Sequence, residues 1–207
     1  MIDKIVFLAI LIAGWFVSYQ LAIRRVRREL TPGAKLLDER LQSIKGGFLK
    51  PTMLQGHFCG RSISIRFWRG RWRTIGSLLI SFLCSSPMSF SIYKASGIRG
   101  FGGRPGEPIG NLEVGDPDLD QYGLITSEPN RFRAWVTRPG TKENLVLLMS
   151  SREWCHIELQ DRRLDFTDYT YRKGELESAE TRRSLEVLAE LASTLETEAK
   201  PVATTSV

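Results

Sequence analysis

The chain has 207 residues, 42% of them hydrophobic and 25% charged, the balance of a chain that folds around a core of its own. Two histidines and three cysteines exclude a disulfide scaffold and a histidine-rich metal protein. The net charge of +6 is uneven: residues 1–110 carry 17 Lys/Arg against 5 Asp/Glu, and residues 111–207 carry 12 against 18. The basic half is the part suited to an anionic surface.

Ile5 to Ile23 is a run of 19 residues without a charge. As a helix it is about 28 Å long, close to the thickness of a bilayer's hydrocarbon layer. Tyr19 lies near its end, where an interfacial aromatic belongs, and Arg24, Arg25, Arg27 and Arg28 follow at once. The positive-inside rule places those arginines in the cytoplasm. The expectation is a single-pass anchor in the inner membrane over residues 1–30, with the N-terminus outside and the soluble part inside. A cleaved signal peptide fits less well, because the start is nearly neutral and no small-x-small cleavage site follows. Three cysteines without an evident pairing fit a reducing compartment.

Thr31-Pro32-Gly33 breaks the anchor helix. Residues 34–45 place Leu37, Leu41 and Ile44 at helical spacing, which predicts a short amphipathic helix inside a juxtamembrane segment, 31–50. A domain over 51–198 follows, then a flexible tail, 199–207. Within the domain, Ile63, Ile65 and Phe67 alternate with polar residues and predict a strand, as do Met88, Phe90 and Ile92. Ile75 to Cys84 is an apolar stretch between them. Residues 97–110 hold six glycines and two prolines and predict a long loop. Ser127 is a candidate helix cap ahead of Phe132, Trp135 and Val136, and Thr141 a cap for a second helix. Trp154–Leu159 and Leu164–Tyr169 read as a hairpin. Leu185, Leu188, Ala189, Ala192 and Leu195 form the apolar stripe of a final helix. The expected fold class is α+β: an N-terminal transmembrane helix, then a mainly antiparallel sheet with helices on one side.

The chemistry-bearing patterns are few. The glycine-rich stretch 97–106 lacks the lysine and hydroxyl of a phosphate loop and opens no helix. Asp116, Asp118 and Asp120 begin like a calcium loop, but Gln121 and Ser127 stand where its glycine and bidentate glutamate belong; a turn with aspartates on nearby amides fits better. His57, Cys59, Cys155 and His156 do not converge as a four-ligand zinc set, since Cys155 and His156 point to opposite faces of a strand. No motif of nucleophilic catalysis is present, no enzyme activity is expected, and no cofactor is implied.

The most unusual local feature is Trp68-Arg69-Gly70-Arg71-Trp72-Arg73, two tryptophans and three arginines around a predicted turn. Together with Phe101 between glycines, these side chains are the expected docking elements for a lipid surface or a protein. Nucleic acid is not an expected partner. Tyr19, Arg24, Arg25, Arg27 and Arg28 are the expected membrane-interface residues.

The stretch Gly115-Asp116-Pro117-Asp118-Leu119-Asp120, with Gly56-x-x-x-Gly60-Arg61 upstream, resembles a group of uncharacterised bacterial single-pass, membrane-anchored proteins. In that group a Gly-Asp-Pro-x-(Phe/Leu)-Asp segment precedes a strand and a capped helix. The resemblance spans roughly residues 54–195. Leu119 stands where the group more often has Phe, and Gln121 where it often has Arg. The group has no assigned activity, so the resemblance implies a shared fold alone. The functional expectation is a non-enzymatic accessory subunit of a larger membrane complex, with integral membrane partners. An acidic soluble protein is expected to dock on the basic aromatic tip. The alternatives are a membrane-tethered sensor for a ligand or lipid, and a hydrolase without a recognisable motif.

Overall fold

The computed structural model describes residues 2–38, 43–47, 50–69, 75–94, 112–172 and 174–199. Helix α1 runs Ile2–Leu30, and a short 3-10 helix, Pro32–Leu36, follows it. Eight strands form one sheet: β1 (Ser43–Gly47), β2 (Lys50–Phe58), β3 (Arg61–Arg69), β4 (Ile75–Leu83), β5 (Phe90–Lys94), β6 (Tyr122–Thr126), β7 (Cys155–Gln160) and β8 (Arg163–Arg172). Their order is β1-β2-β3-β4-β8-β7-β5-β6, and every neighbouring pair is antiparallel. Helices α2 (Pro117–Asp120), α3 (Pro129–Val136), α4 (Thr141–Ser151) and α5 (Ala179–Ala199) complete the domain. The fold is α+β.

Alternation of side chains decides the layering. Leu54, Ile63, Ile65, Leu78, Ile80, Phe82, Ile92, Ile157, Leu164 and Phe166 are all buried, and their neighbours along the strands are mostly less buried. With a period of two, these residues all face one side of the sheet. The apolar stripe of α5, with Leu185, Leu188, Ala192 and Leu195 buried, packs over β4 and β8. Trp135 is fully buried; its ring lies 5.1 Å from Phe90 and 5.8 Å from Phe132, and its indole N–H donates to Thr194 Oγ1 at 3.0 Å. That bond satisfies the one polar atom the ring carries into the core.

Two hairpins close through residues of positive φ: Cys59 and Gly60 between β2 and β3, and Asp161 and Arg162 between β7 and β8. Two such residues in succession match the right-handed twist of the flanking strands. β8 carries one extra residue opposite β4. Asp168 pairs with Leu78 and Tyr171 with Gly76, so the inward parity of β8 changes between them. Gly76 has no room for a side chain, because a Cβ there would lie 2.5 Å from the Phe67 ring and 2.7 Å from the Trp68 carbonyl oxygen.

The segment after α1 departs from the expected amphipathic helix. Pro32–Leu36 is 3-10, and Ser43–Gly47 is strand β1, with Ile44 opposite Leu54. A helix of a dozen residues is marginal without a partner, whereas β2 pairs with Ser43–Gly47 in an antiparallel ladder broken only by a bulge between Lys45 and Gly47. The segment therefore belongs to the domain: Leu37 is buried, and Gly33 sits beneath Leu176 and Leu54. A smaller correction concerns α3, whose N-cap is Glu128 rather than Ser127; Thr126 Oγ1 accepts from the Glu128 amide at 3.1 Å. The glycine-rich loop and the tail from residue 200 lie outside the described residues.

Candidate binding surfaces

α1 has two unlike parts. Its apolar side chains from Val6 to Leu21 are heavily exposed, between 47% at Leu21 and 64% at Phe7 and Ile10. The helix has the length and apolar composition of a membrane-crossing segment. Its last two turns behave differently. Leu30 is fully buried and Val26, one turn earlier, packs against the core, where α1 meets β2 and β3. Thr31 closes the helix, its hydroxyl donating to the Arg27 carbonyl at 2.8 Å. Val26 lies only three positions after Ile23, the end of the charge-free run. That is about 4.5 Å of helix, so the end of the apolar run and the start of the domain core lie within one turn.

Of the expected interface residues, Arg24, Arg25, Arg27 and Arg28 are exposed around this foot. Tyr19 stacks on Trp15, centroids 5.8 Å apart and planes 20° apart. Of the expected docking residues, Trp68 is 43% exposed near the end of β3, and Arg69 ends that strand opposite Gly76. Arg71, Trp72, Arg73 and Phe101 lie outside the described residues.

The described helices lie on the apolar face of the sheet. Among the described residues no helix covers the opposite, mostly polar face, called the open face below. One row across it runs Gln55, Ser64, Ser81, Asp165, Glu158 and Ser91. The next runs Arg66, Leu79, Thr167, His156 and Tyr93. Trp68 is on the same face, two residues beyond Arg66. Tyr93 lies across Gly123, where a Cβ would come within 2.1 Å of the ring. This open face holds both histidines. Each is paired with a serine on the next strand: His57 Nε2 with Ser62 Oγ at 3.3 Å, and His156 Nε2 with Ser91 Oγ at 2.6 Å. Burial holds the His156 imidazole below its usual pKa, against the opposing pull of Glu158 and Asp165.

A serine–histidine pair is the starting arrangement of nucleophilic catalysis. Here β5 and β7 are interior strands with ladders on both sides. The amides of these two strands serve those ladders rather than an oxyanion.

Hydrogen bonding is also incomplete on the open face, which holds five of the eight shielded side-chain polar atoms without a hydrogen-bond partner found among the described residues. His57 Nδ1, Arg66 Nε, Ser81 Oγ, Tyr93 OH and Asp165 Oδ1 are shielded from solvent and have no hydrogen-bond partner. Buried polar atoms of this kind are uncommon in native proteins. Five on one face of one sheet distinguish it from an ordinary solvated surface. Toward β2 and β3 the face sinks into a groove of about 460 Å3, walled by Gln55, His57, Ser62, Ser64, Ser81 and Arg163.

The remaining candidates resolve as structure. The carboxylates at Asp116 and Asp118 embrace Lys142 Nζ, at 2.6 and 2.9 Å, and this ion pair and hydrogen bond hold Asp116 below the usual carboxylate range. Asp120 accepts from the amides of Val114 and Gly115, at 2.7 and 3.0 Å. A lysine thus occupies the centre of a would-be cation loop. Among the described residues no three His, Cys, Asp or Glu side chains are grouped to hold a metal. Cys155 and His156 do point to opposite faces. Cys84 and Cys155 are buried, and burial pushes their thiols up to about 11 and about 12; Cys59 is exposed in its turn. Behind β8, Arg152 Nε lies 3.2 Å from Asp168 Oδ2, with Glu175 and Glu180 each 3.5 Å from Arg152 Nη1. Burial raises the Asp168 carboxyl. This cluster ties the start of α5 to the sheet.

Comparison of the chain with protein-family models, with curated proteins and with solved structures finds no match. The open face was legible only in part. The alternation of Ser62, Ser64 and Arg66 with Ile63, Ile65 and Phe67 marks two faces, but a polar face reads as plain solvent exposure. Which polar residues from distant strands share a row depends on strand order, and no local pattern encodes it.

Proposed function

We propose that this is a non-enzymatic, single-pass membrane protein, an accessory subunit whose cytoplasmic domain docks another subunit or an acidic soluble partner. One observation carries the reading: a lipid-length apolar helix with exposed flanks runs without a linker into the core of a polar domain. In water the exposed apolar flank would be an aggregation liability; in a bilayer it is solvated. The arginines around the foot sit where anionic headgroups of the cytoplasmic leaflet attract them. Clamping by Val26 and Leu30 fixes the domain's height and orientation at the membrane surface, which suits a subunit presenting a fixed face better than a domain on a flexible tether. Trp68, at one end of the open face, and its chain neighbour Arg69 are docking elements in this reading, together with Arg71, Trp72 and Arg73 of the same sequence stretch.

Purification from membranes in mild detergent tests it. The expected result is stoichiometric co-purification of at least one integral membrane chain, with chemical cross-links from the domain to that chain. Trp68→Ser is expected to lower recovery of the partner without releasing the protein from the membrane. A protein that purifies alone at every detergent concentration, with no intersubunit cross-link in intact membranes, overturns the reading.

A further inference from the structure

We infer that the groove on the open face, across β2, β3, β4 and β8, is a binding site for a neutral, hydroxyl-rich ligand of the sugar class. This goes beyond the docking role and does not depend on it. The groove's volume, about 460 Å3, is within the usual range for small-molecule sites. Its wall is built of short polar side chains set by sheet register: Gln55 opposite Ser64, Ser64 opposite Ser81, and His57 opposite Ser62.

Ser81 supplies the independent sign of a ligand. It is 3% exposed, its hydroxyl has no hydrogen-bond partner, and it stands in the groove wall between the inward-facing Ile80 and Phe82. His57 Nδ1, in the same wall, is likewise shielded and unpartnered. A ligand hydroxyl can complete either atom, because it both donates and accepts.

Charge decides the ligand class. Arg163 and Asp161 both line the groove, and their charges cancel. Asp165, opposite Ser81 in the ladder, adds a further acceptor beside the wall. A free anion in the groove meets Asp161, and a cation meets Arg163. A neutral polyol meets neither penalty and uses both kinds of group. Arg163 is held only lightly, its Nη2 donating to Ser64 Oγ at 3.4 Å, so its guanidinium is available to a ligand. Leu83 lines the rim and is 57% exposed, an apolar patch for the C–H face of a sugar ring. Such a ring could belong to a free saccharide or to a glycolipid headgroup, since both present the same hydroxyls.

The full chain, purified in a detergent without a sugar headgroup, is applied to an array of neutral mono-, di- and trisaccharides. It is also applied to vesicles with and without a glucosyl-diacylglycerol. Saturable binding is expected in at least one arm: binding to the array marks a free saccharide, and glycolipid-dependent vesicle binding alone marks a headgroup. The double variant Ser64→Ala, Ser81→Ala, near-isosteric with the native protein, is expected to bind at least tenfold more weakly. Ser91→Ala, on the same face outside the groove, is expected to bind normally. Absence of binding in both arms, binding that survives the double variant, or competition by inorganic phosphate at equal concentration overturns the inference. The co-purification result bears on none of these outcomes.

Discussion

Ile80 and Ser81 are consecutive residues of β4, at 1% and 3% exposure, and they mark two unlike faces of one sheet. Ile80 faces the helical layer and belongs to the continuous core. Ser81 faces the open side, with a hydroxyl that bonds to nothing. Low exposure has different meanings at the two positions. On the helical side it records close packing. On the open side it records a polar surface folded in on itself, with hydrogen-bonding capacity to spare. The apolar face holds the domain together, and the open face carries the unpartnered polar atoms.

The largest effect that would sharpen this contrast is at Ile80. Ile80→Ala is expected to destabilise the domain by about 2–5 kcal/mol, since it opens a cavity among side chains that cannot collapse into it; chemical denaturation measures this. A loss below about 1 kcal/mol would show that the apolar face is less tightly packed than its burial implies.

The second test is pH. Burial lowers the folded-state pKa of His156 below its ordinary 6.5. Below pH 6.5 the unfolded chain takes up a proton that the folded chain resists, so stability falls as the pH drops through this window. Unfolding curves at pH 7.5 and 5.5 are expected to show the native protein weaker at the lower pH. His156→Gln is expected to flatten that difference. An unchanged slope in the variant would place the His156 ring in free solvent rather than within the open face.

The smallest expected effect is at Ser81. Ser81→Ala removes a hydroxyl that makes no bond, so the loss is expected to stay within about 0.5 kcal/mol, and a slight gain is consistent with relief of an unmet desolvation cost. A loss above about 1.5 kcal/mol would mean that the hydroxyl is bonded in solution and that the two faces are more alike than this contrast implies.

Much of the fold was readable residue by residue. The alternation at Ile63–Phe67 predicts β3, the Leu185–Leu195 stripe predicts α5, and the turn at Asp161-Arg162 joins the hairpin expected from Trp154 to Tyr169. The reading of residues 34–45 failed because Leu37, Leu41 and Ile44 carry helical spacing, while the stabilising ladder comes from β2, which that spacing cannot register. The candidate site was far less legible. Ser91 and His156 are 65 residues apart and meet at 2.6 Å; His57 and Ser62 meet only because Cys59 and Gly60 adopt positive φ and close a tight hairpin.

The sequence by itself determined the long apolar helix, the basic residues after it, the two-faced strands and the amphipathic final helix, because each rests on a periodicity or a run along a single stretch of chain. Only the tertiary structure decided that the foot of α1 is part of the core, that Lys142 occupies the acidic loop, and that the unpaired polar atoms of five distant positions share one open face. Those outcomes depend on strand order and register, which are set by the packing of the whole sheet against its helices.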